Sequence, residues 1–518
     1  MPIYALWKVE DAFFIRPADG AAQAADIADA VKVSESNNVA VFDLKKLLRY
    51  HPEFSAVPLK NFFDVKLANN LCNGAADSDS AVELAKKMDL PDAADEGEAL
   101  LKLYGIFKEQ VAENRIYNDI SLPLSPVLAA MERRGILLDK AGLTEFGNEL
   151  KIKIIEAEKN IYVLAGKEFN INSTKQLSQL LFEELSLPAV GKKTQSGYST
   201  DAEALEKIID AHPIVPAILH YRKLSKVNST YVEGLLKYCT AENRIHTTFN
   251  MTSTATGRLS STEPNLQNLP VAGELGGEVR KFFHAPAGHV FIDADYSQIE
   301  LRILAHIAND PAMIEAFCHN EDIHAVTASW IFGVELSDVT REMRRQAKAV
   351  NFGIVYGISP FTLANDLGIE QSEAKKYIAS YFEKYSAVKS YLDKTVKEAR
   401  KNGYVETLSG RRRMIPELKS KNFAVRAFGE RVAKNMPIQG TAADLILMAM
   451  IKVDAELKKA GLHAELLLQI HDELLLSCPE NEAEAAQKIL KEAMESAMQL
   501  SVPLEVSMAL GKNYIEVK

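Results

Sequence analysis

The sequence predicts a protein of the α/β class, α+β in its arrangement, built from several domains. Three observations carry that reading. The chain has 518 residues, too many for one hydrophobic core. Apolar runs of strand length occur in the first 60 residues and again beyond residue 290, with long helical patterns elsewhere. The composition changes near residue 117: residues 1–120 carry 13 Lys and Arg against 20 Asp and Glu, leaving 47 against 50 for the other 398.

Along the chain, the first 115 or so residues mix short strands such as 39–42 with helical stretches such as 80–88, the pattern of a small α/β domain. A long amphipathic helical pattern runs from about Leu122 through Leu164, broken near Gly135, where Ile136, Leu137 and Leu138 suggest a brief extended piece. In FNINSTKQLSQLLFEEL (169–185), Ser173 can cap a helix with Gln176 reaching back as a capping box. The segment GKKTQSGYST (191–200) places Lys192 and Lys193 among turn residues, an exposed tip that is either a solvated loop or a grip on a phosphate backbone. Strand-like sequence dominates 246–301, helix 311–401, and mixed structure the remainder.

With 47% hydrophobic and 25% charged residues the composition is that of an ordinary soluble protein. There is no run of eighteen apolar residues, and MPIYALWKVEDAFF lacks a basic segment followed by an apolar one, so neither a membrane span nor export is expected. Cys72, Cys239, Cys318 and Cys478 are scattered, which argues against a zinc site or a disulfide framework and fits a reducing cytoplasm. A net charge of −10 weighs against a nucleic-acid partner. Most of it belongs to the N-terminal segment, however, and local clusters at Lys192-Lys193, Arg344-Arg345 and Arg411-Arg412-Arg413 leave room for a basic cleft.

Two strings carry acids where core packing does not ask for them. In FIDADYSQIELR (291–302), Phe291, Asp293 and Asp295 share one face of a strand. In LLLQIHDELLLS (466–477), two apolar strands flank His471, Asp472 and Glu473 at a hairpin tip. Either string alone is equally well a polar turn or a strand end. Together they suggest a shared site for hard divalent cations, which bind through one or two carboxylates plus substrate phosphates.

Between them, TREMRRQAKAVNFGIVYG (340–357) reads as a helix that Thr340 caps and Gly357 with Pro360 ends. Arg344, Lys348, Phe352 and Tyr356 recur every fourth residue, a slowly winding stripe roughly 18 Å long. It passes from cations to aromatic rings, the gradient of a nucleoside triphosphate from its polyanionic tail to its base. The same spacing also suits two core aromatics below solvated cations.

DYSQIELR, RRxxKxxxFGxxYG and QxHDE resemble the three signature motifs of family A DNA polymerases, the bacterial DNA polymerase I group and its large fragment. TATGRLSSTEPNLQNLP (254–270) and NMPIQGTAADLI (435–446) are similar to palm segments of that family, and FNINSTKQL, KKTQSGYST and YRKLSKVNSTY to its thumb. The resemblance covers about residues 118–518. It implies a right-hand fold: thumb about 130–240, palm about 241–301 and 431–518, fingers about 302–430. It also implies a degenerate RNase H-like 3′–5′ exonuclease domain at 1–117.

The activity so implied is template-directed DNA synthesis in replication or repair, with dNTPs added to a primer 3′-hydroxyl and pyrophosphate released. Two Mg²⁺ ions, or Mn²⁺ in their place, would be held by Asp295, Asp472 and the Tyr296 carbonyl, with Glu473 beside them. Arg344, Lys348 and His324 would contact the triphosphate, Lys348 as the acid for the leaving pyrophosphate. Phe352 would lie against the sugar, Tyr356 near the templating base, Gln298 in the dNTP site, and Glu300 against the ribose 2′ position as a gate. Primer–template contacts would come from Arg258, Asn265, Gln267, Arg431, Asn435, Gln439, His471, Lys192 and Lys193. Strand geometry alone nominates Asp293 as readily as Asp295; the family motif selects Asp295.

The chain departs from the family in two places. Residues 1–60 contain no DxE, and DAADE (92–96) stands without a Tyr where the exonuclease YxxxD belongs, so no proofreading is expected. VAGELGGEVR (271–280) has Ala272, Gly277 and Glu278 where relatives commonly carry basic residues, which predicts a weaker hold on DNA or pyrophosphate, and Arg at 272 would restore affinity for primer–template. The sequence read from Met1 shows no flap-nuclease domain, which fits equally a protein without one and a fragment of a longer chain, and a monomer is expected. The competing readings are an RNA-synthesising relative, a DNA-binding protein without catalysis, and a nuclease.

Overall fold

The computed structural model describes residues 2–74, 78–189, 197–270 and 277–518. They fall into two units: Met1–Arg134 with Thr248–Thr262 and Gly288–Leu510, and Gly135–Thr247 with Glu263–Ala287 and Gly511–Lys518. The Lys192–Lys193 tip and Ala272 lie outside the described residues.

In the first unit, β1 (Ile3–Val9), β2 (Ala12–Pro17), β3 (Gln23–Ala25), β4 (Asn38–Val41) and β5 (Phe62–Asp64) form one sheet in the order β3-β2-β1-β4-β5. β1 and β2 pair antiparallel, whereas β1, β4 and β5 run parallel. Parallel strands need crossover helices over them, and apolar residues of helices Leu44–Tyr50 and Glu96–Val111 fill the core with Leu6, Phe13, Val39 and Phe54. The helix expected at 80–88 runs Ala81–Lys87, with the Ser80 hydroxyl accepting from the Glu83 N–H.

In the second unit, Gly135 (φ +59°) ends the amphipathic pattern, and the extended piece foreseen after it is β6 (Ile136–Leu137), paired with β7 (Arg244–Ile245). Helices Lys140–Ala165 and Ile214–Lys226 pack around Ile161, Leu177, Leu181 and Ile218. Ser173 caps its helix as read from sequence. Gln176 does not close the capping box, because its side-chain oxygen accepts from the Asn170 N–H, three residues upstream of the cap.

The first unit continues with the β8 (Thr248–Asn250) and β9 (Ser260–Thr262) ladder, then β10 (His289–Tyr296), the β11 (Tyr404–Glu406) and β12 (Arg412–Met414) hairpin, and β13 (Glu465–Ile470), β14 (Glu473–Pro479) and β15 (Val506–Gly511). The order β13-β14-β10-β15 makes a four-stranded sheet. Helices Phe423–Lys459 and Ala483–Glu495 pack on it, so its central strands are buried on both faces and read as continuous apolar runs instead of alternating ones. Phe423–Lys459 has an eighteen-residue window apolar enough to cross a bilayer, but 78% of that window is buried inside the unit, as in a core helix.

Candidate active site

β10 ends at Tyr296 and the β13–β14 hairpin turns at His471 and Asp472, so the two acidic strings meet at one end of one sheet. Asp295 stands opposite Glu473 in the ladder. The Tyr296 N–H donates to the Asp472 carbonyl oxygen at 3.2 Å. Burial, reinforced by the Asp295 charge, pushes the Asp472 carboxyl up to about 6. Asp293 lies two residues deeper in the strand and is buried, as is Glu473. His471 (φ +55°) takes the first place in a two-residue hairpin loop, where glycine is usual, and Gln298 (φ +55°) caps the Ile299–Ala308 helix in the same conformation. Non-glycine residues held left-handed on both sides of the paired aspartates store strain of the kind found at functional sites.

Among the described residues no three His, Cys, Asp or Glu side chains cluster to hold a metal alone. The candidate donors are fewer: the Asp295 charge repels that of Asp472 and raises its proton affinity in a half-buried place, with the Tyr296 main-chain oxygen as the expected third ligand. A hard divalent cation relieves that repulsion, and Mg²⁺ in particular binds through few protein carboxylates.

The helix read at 340–357 spans Arg341–Val355, capped by the Thr340 hydroxyl. Ala347, Val350, Asn351, Ile354 and Val355 are its buried face; Arg344, Lys348 and Tyr356 are exposed and Phe352 half-buried. The aromatic pair is therefore no part of the core. Phe352 and Tyr356 stack with centroids 6.5 Å apart, and the Lys348 ammonium lies 5.9 Å from the Phe352 ring.

Two partners on this face had no signal in the sequence. Asp322 caps the Ile323–Phe332 helix and holds Arg344 through Nε at 2.6 Å. Asn351 donates from its amide to His324 Nδ1 at 2.8 Å, so the neutral ring carries its proton on Nε2. Burial holds the His324 ring at about 4; Asp322 opposes the shift while Arg344 and Lys348 add to it. The folded chain thus favours the neutral ring, a contribution to stability that is complete above pH 6.5 and lost as the pH falls toward 4. In an NMR titration of His-labelled protein, the resonance missing from His324→Gln should stay unmoved from pH 8 to about 5; a midpoint near 6.5 would contradict the burial argument.

Glu300 and Arg258, read from sequence as separate contacts, are an ion pair at 2.7 Å. Glu300 is buried, which raises its carboxyl, while Arg258, Tyr356 and Gln439 oppose the rise through charge and hydrogen bonds. The charges of Arg258 and Glu300 in turn reach Asp472. This small network joins the aromatic end of the helix to the paired aspartates. Arg302, two residues beyond Glu300, serves the backbone instead. It donates to the carbonyls of Ser297 and Pro503 and pairs with Glu505 at 2.6 Å, pinning the turn after β10.

Arg431, Asn435 and Gln439 recur every fourth residue on one face of the Phe423–Lys459 helix. Asn435 Oδ1 is buried without a hydrogen-bond partner among the described residues. A cavity of about 820 Å³ is lined by Phe352, Tyr356, Asp366, Arg431 and Lys434, mixing aromatic and charged groups. Asn265 and Gln267 belong to the other unit, where the Asn265 side chain accepts from the Gln267 N–H in a tight turn.

Residues 140–516 match the family model described as DNA polymerase family A. The chain is 53% identical over 404 residues to DNA polymerase I of Caldicellulosiruptor bescii, covering 78% of this chain and 47% of that protein. It is 43% identical over 514 residues to DNA polymerase I of Streptococcus pneumoniae, covering 93% and 59%. Its fold is similar, with a TM-score of 0.92 and 37% identity, to the POL domain of Pol1 from M. smegmatis in complex with DNA primer-template and dNTP, over 99% of this chain and 95% of that one. The chain spans about half the length of the curated relatives it matches. With a family model matching most of its length and relatives this similar, the chain belongs to DNA polymerase family A.

Proposed function

We propose that the chain is a DNA-directed DNA polymerase, extending a primer 3′-hydroxyl with the dNTP that its template specifies. The observation that carries this reading is the Glu300 network, through which the cationic and aromatic face of the Arg341–Val355 helix meets the Asp295–Asp472 pair. Asp295, Asp472 and the Tyr296 carbonyl would hold Mg²⁺, which when bound supplies charge for the attacking and leaving oxygens. The protein's own work is positioning. Arg344 would exchange Asp322 for phosphate oxygens, with Lys348 beside it and neutral His324 donating from Nε2. Phe352 would press on the sugar, and Tyr356 would lie by the templating base. Glu300, fixed by Arg258, would crowd a ribose 2′-hydroxyl. Arg431, Asn435, Gln439 and His471 would follow the duplex, where minor-groove acceptors common to all correct pairs allow sequence-independent use.

Primer extension by the pure protein tests this: elongation with dNTPs and Mg²⁺, little with rNTPs, none with EDTA. Equal use of rNTPs, or release of nucleotides without synthesis, would reject it.

The N-terminal domain is proposed to be exonuclease-like in fold and silent in chemistry. Three of its acids are engaged structurally: Asp43 caps a helix and pairs with Lys66, Asp64 accepts from the Leu44 and Leu67 N–H groups, and Asp95 caps a helix and pairs with Arg16. A 3′-mismatched primer incubated with protein and Mg²⁺ without dNTPs should keep its length; metal-dependent shortening would overturn this.

A further inference from the structure

Arg258 is the tip of an arm, residues 248–258, that is gripped at both ends within one unit. At its root, Thr248 Oγ1 accepts from Arg49 Nη1 at 2.9 Å, and the Phe249 N–H donates to Glu132 Oε1 at 2.8 Å. Two residues on, Met251 packs against the core of the N-terminal domain and the Thr252 carbonyl accepts from Asn70 Nδ2 at 3.2 Å. Glu132 organises this end: its side chain is fully buried and pairs with Lys45 at 2.6 Å and Arg49 at 3.0 Å.

The far end rests on a second buried ion pair. Arg411 donates through Nε to Asp444 Oδ1 at 2.7 Å, and the other Asp444 oxygen accepts from Thr407 Oγ1 at 2.7 Å. Gly257 (φ +82°) lies directly against that guanidinium; a Cβ there would sit 2.5 Å from Arg411 Nε. The Thr254 hydroxyl, donating to the Arg258 carbonyl at 2.6 Å, closes the turn. From this turn Arg258 reaches Glu300. Buried ion pairs contribute little net stability compared with apolar packing, but they fix geometry, and a carboxylate that must exclude one oxygen atom depends on placement to a fraction of an ångström.

We propose that Glu132 and Asp444 are positioning residues: by anchoring the two ends of the 248–258 arm they fix Arg258, and through it Glu300, and so set discrimination between deoxyribo- and ribonucleotides. The N-terminal domain thereby takes part in nucleotide selection. The proposal rests on the polymerase reading above and on Glu300 as the group facing the sugar.

The test is the ratio of kcat/KM for a dNTP to that for the matching rNTP, which cancels any loss of folded enzyme. Asp444→Asn and Glu132→Gln should each lower the ratio about tenfold, and neither should lower it further once Arg258→Ala is present. Milder variants guard against misfolding: Gly257→Ala pushes the turn off Arg411, and Asn70→Ala frees the Thr252 carbonyl. Each should lower the ratio in the same Arg258-dependent way. An unchanged ratio in the folded variants, or a drop that persists without Arg258, overturns the positioning role. A wild-type protein that extends no primer would instead refute the polymerase reading.

Discussion

Asp295→Ala and Asp472→Ala should each lower the single-turnover rate of nucleotide addition by at least about 10³-fold, roughly 4 kcal/mol of transition-state stabilisation, while leaving the fold intact. The size follows from position. Asp295 lies at the end of β10 and Asp472 in the β13–β14 turn, and the Asp295 charge raises the proton affinity of Asp472. Neither can be replaced by its neighbours, because Asp293 is buried further along β10 and Glu473 is buried in the ladder. Asp293→Ala should therefore affect stability more than rate. A rapid-quench measurement at saturating dNTP and Mg²⁺ checks both expectations, and a residual rate within tenfold of wild type for Asp295→Ala would remove it from the site.

The second large effect is expected at Lys348. Arg344 is held by Asp322, whereas Lys348 is exposed on the same face and pairs with no carboxylate among the described residues. A cation without a carboxylate partner among the described residues, one turn from Phe352, is the group best placed to meet triphosphate charge and to hand a proton to the leaving group. A positioned acid contributes about 10²–10⁴-fold, so Lys348→Ala should lower kcat by that order, and Lys348→Arg, charged but a far weaker acid, should recover binding more than rate. Arg344→Ala should raise the dNTP KM with a smaller change in kcat. Recovery of full kcat by Lys348→Arg would assign Lys348 to electrostatics alone.

What could be read in the sequence was whatever has a short period or an unusual neighbour. Asp295 and Asp472 stood out because strands that are otherwise apolar carry them at their ends, and the Arg344 to Tyr356 stripe because helical spacing is fixed. Helix caps at Ser173 and Thr340 followed from local hydrogen bonding. Pairings across the fold left no such trace. Arg258 with Glu300 and Arg411 with Asp444 join positions 42 and 33 residues apart, and Glu132 meets its cations from 83 and 87 residues away. The left-handed backbone at Gln298 and His471 was equally hidden, since neither residue type announces a positive φ as glycine would. Asp322 and Asn351 left no signal either, because their bonds to Arg344 and His324 appear only when two helices are packed together.

The most direct test of a single templated active site is incorporation on four primer–templates identical except for the templating base, each offered all four dNTPs singly with Mg²⁺. One site built from Asp295, Asp472 and the Arg344 to Tyr356 face predicts rapid addition of the complementary nucleotide on each template, abolished by Asp295→Ala. Addition that ignores the templating base, or that survives Asp295→Ala, would contradict it.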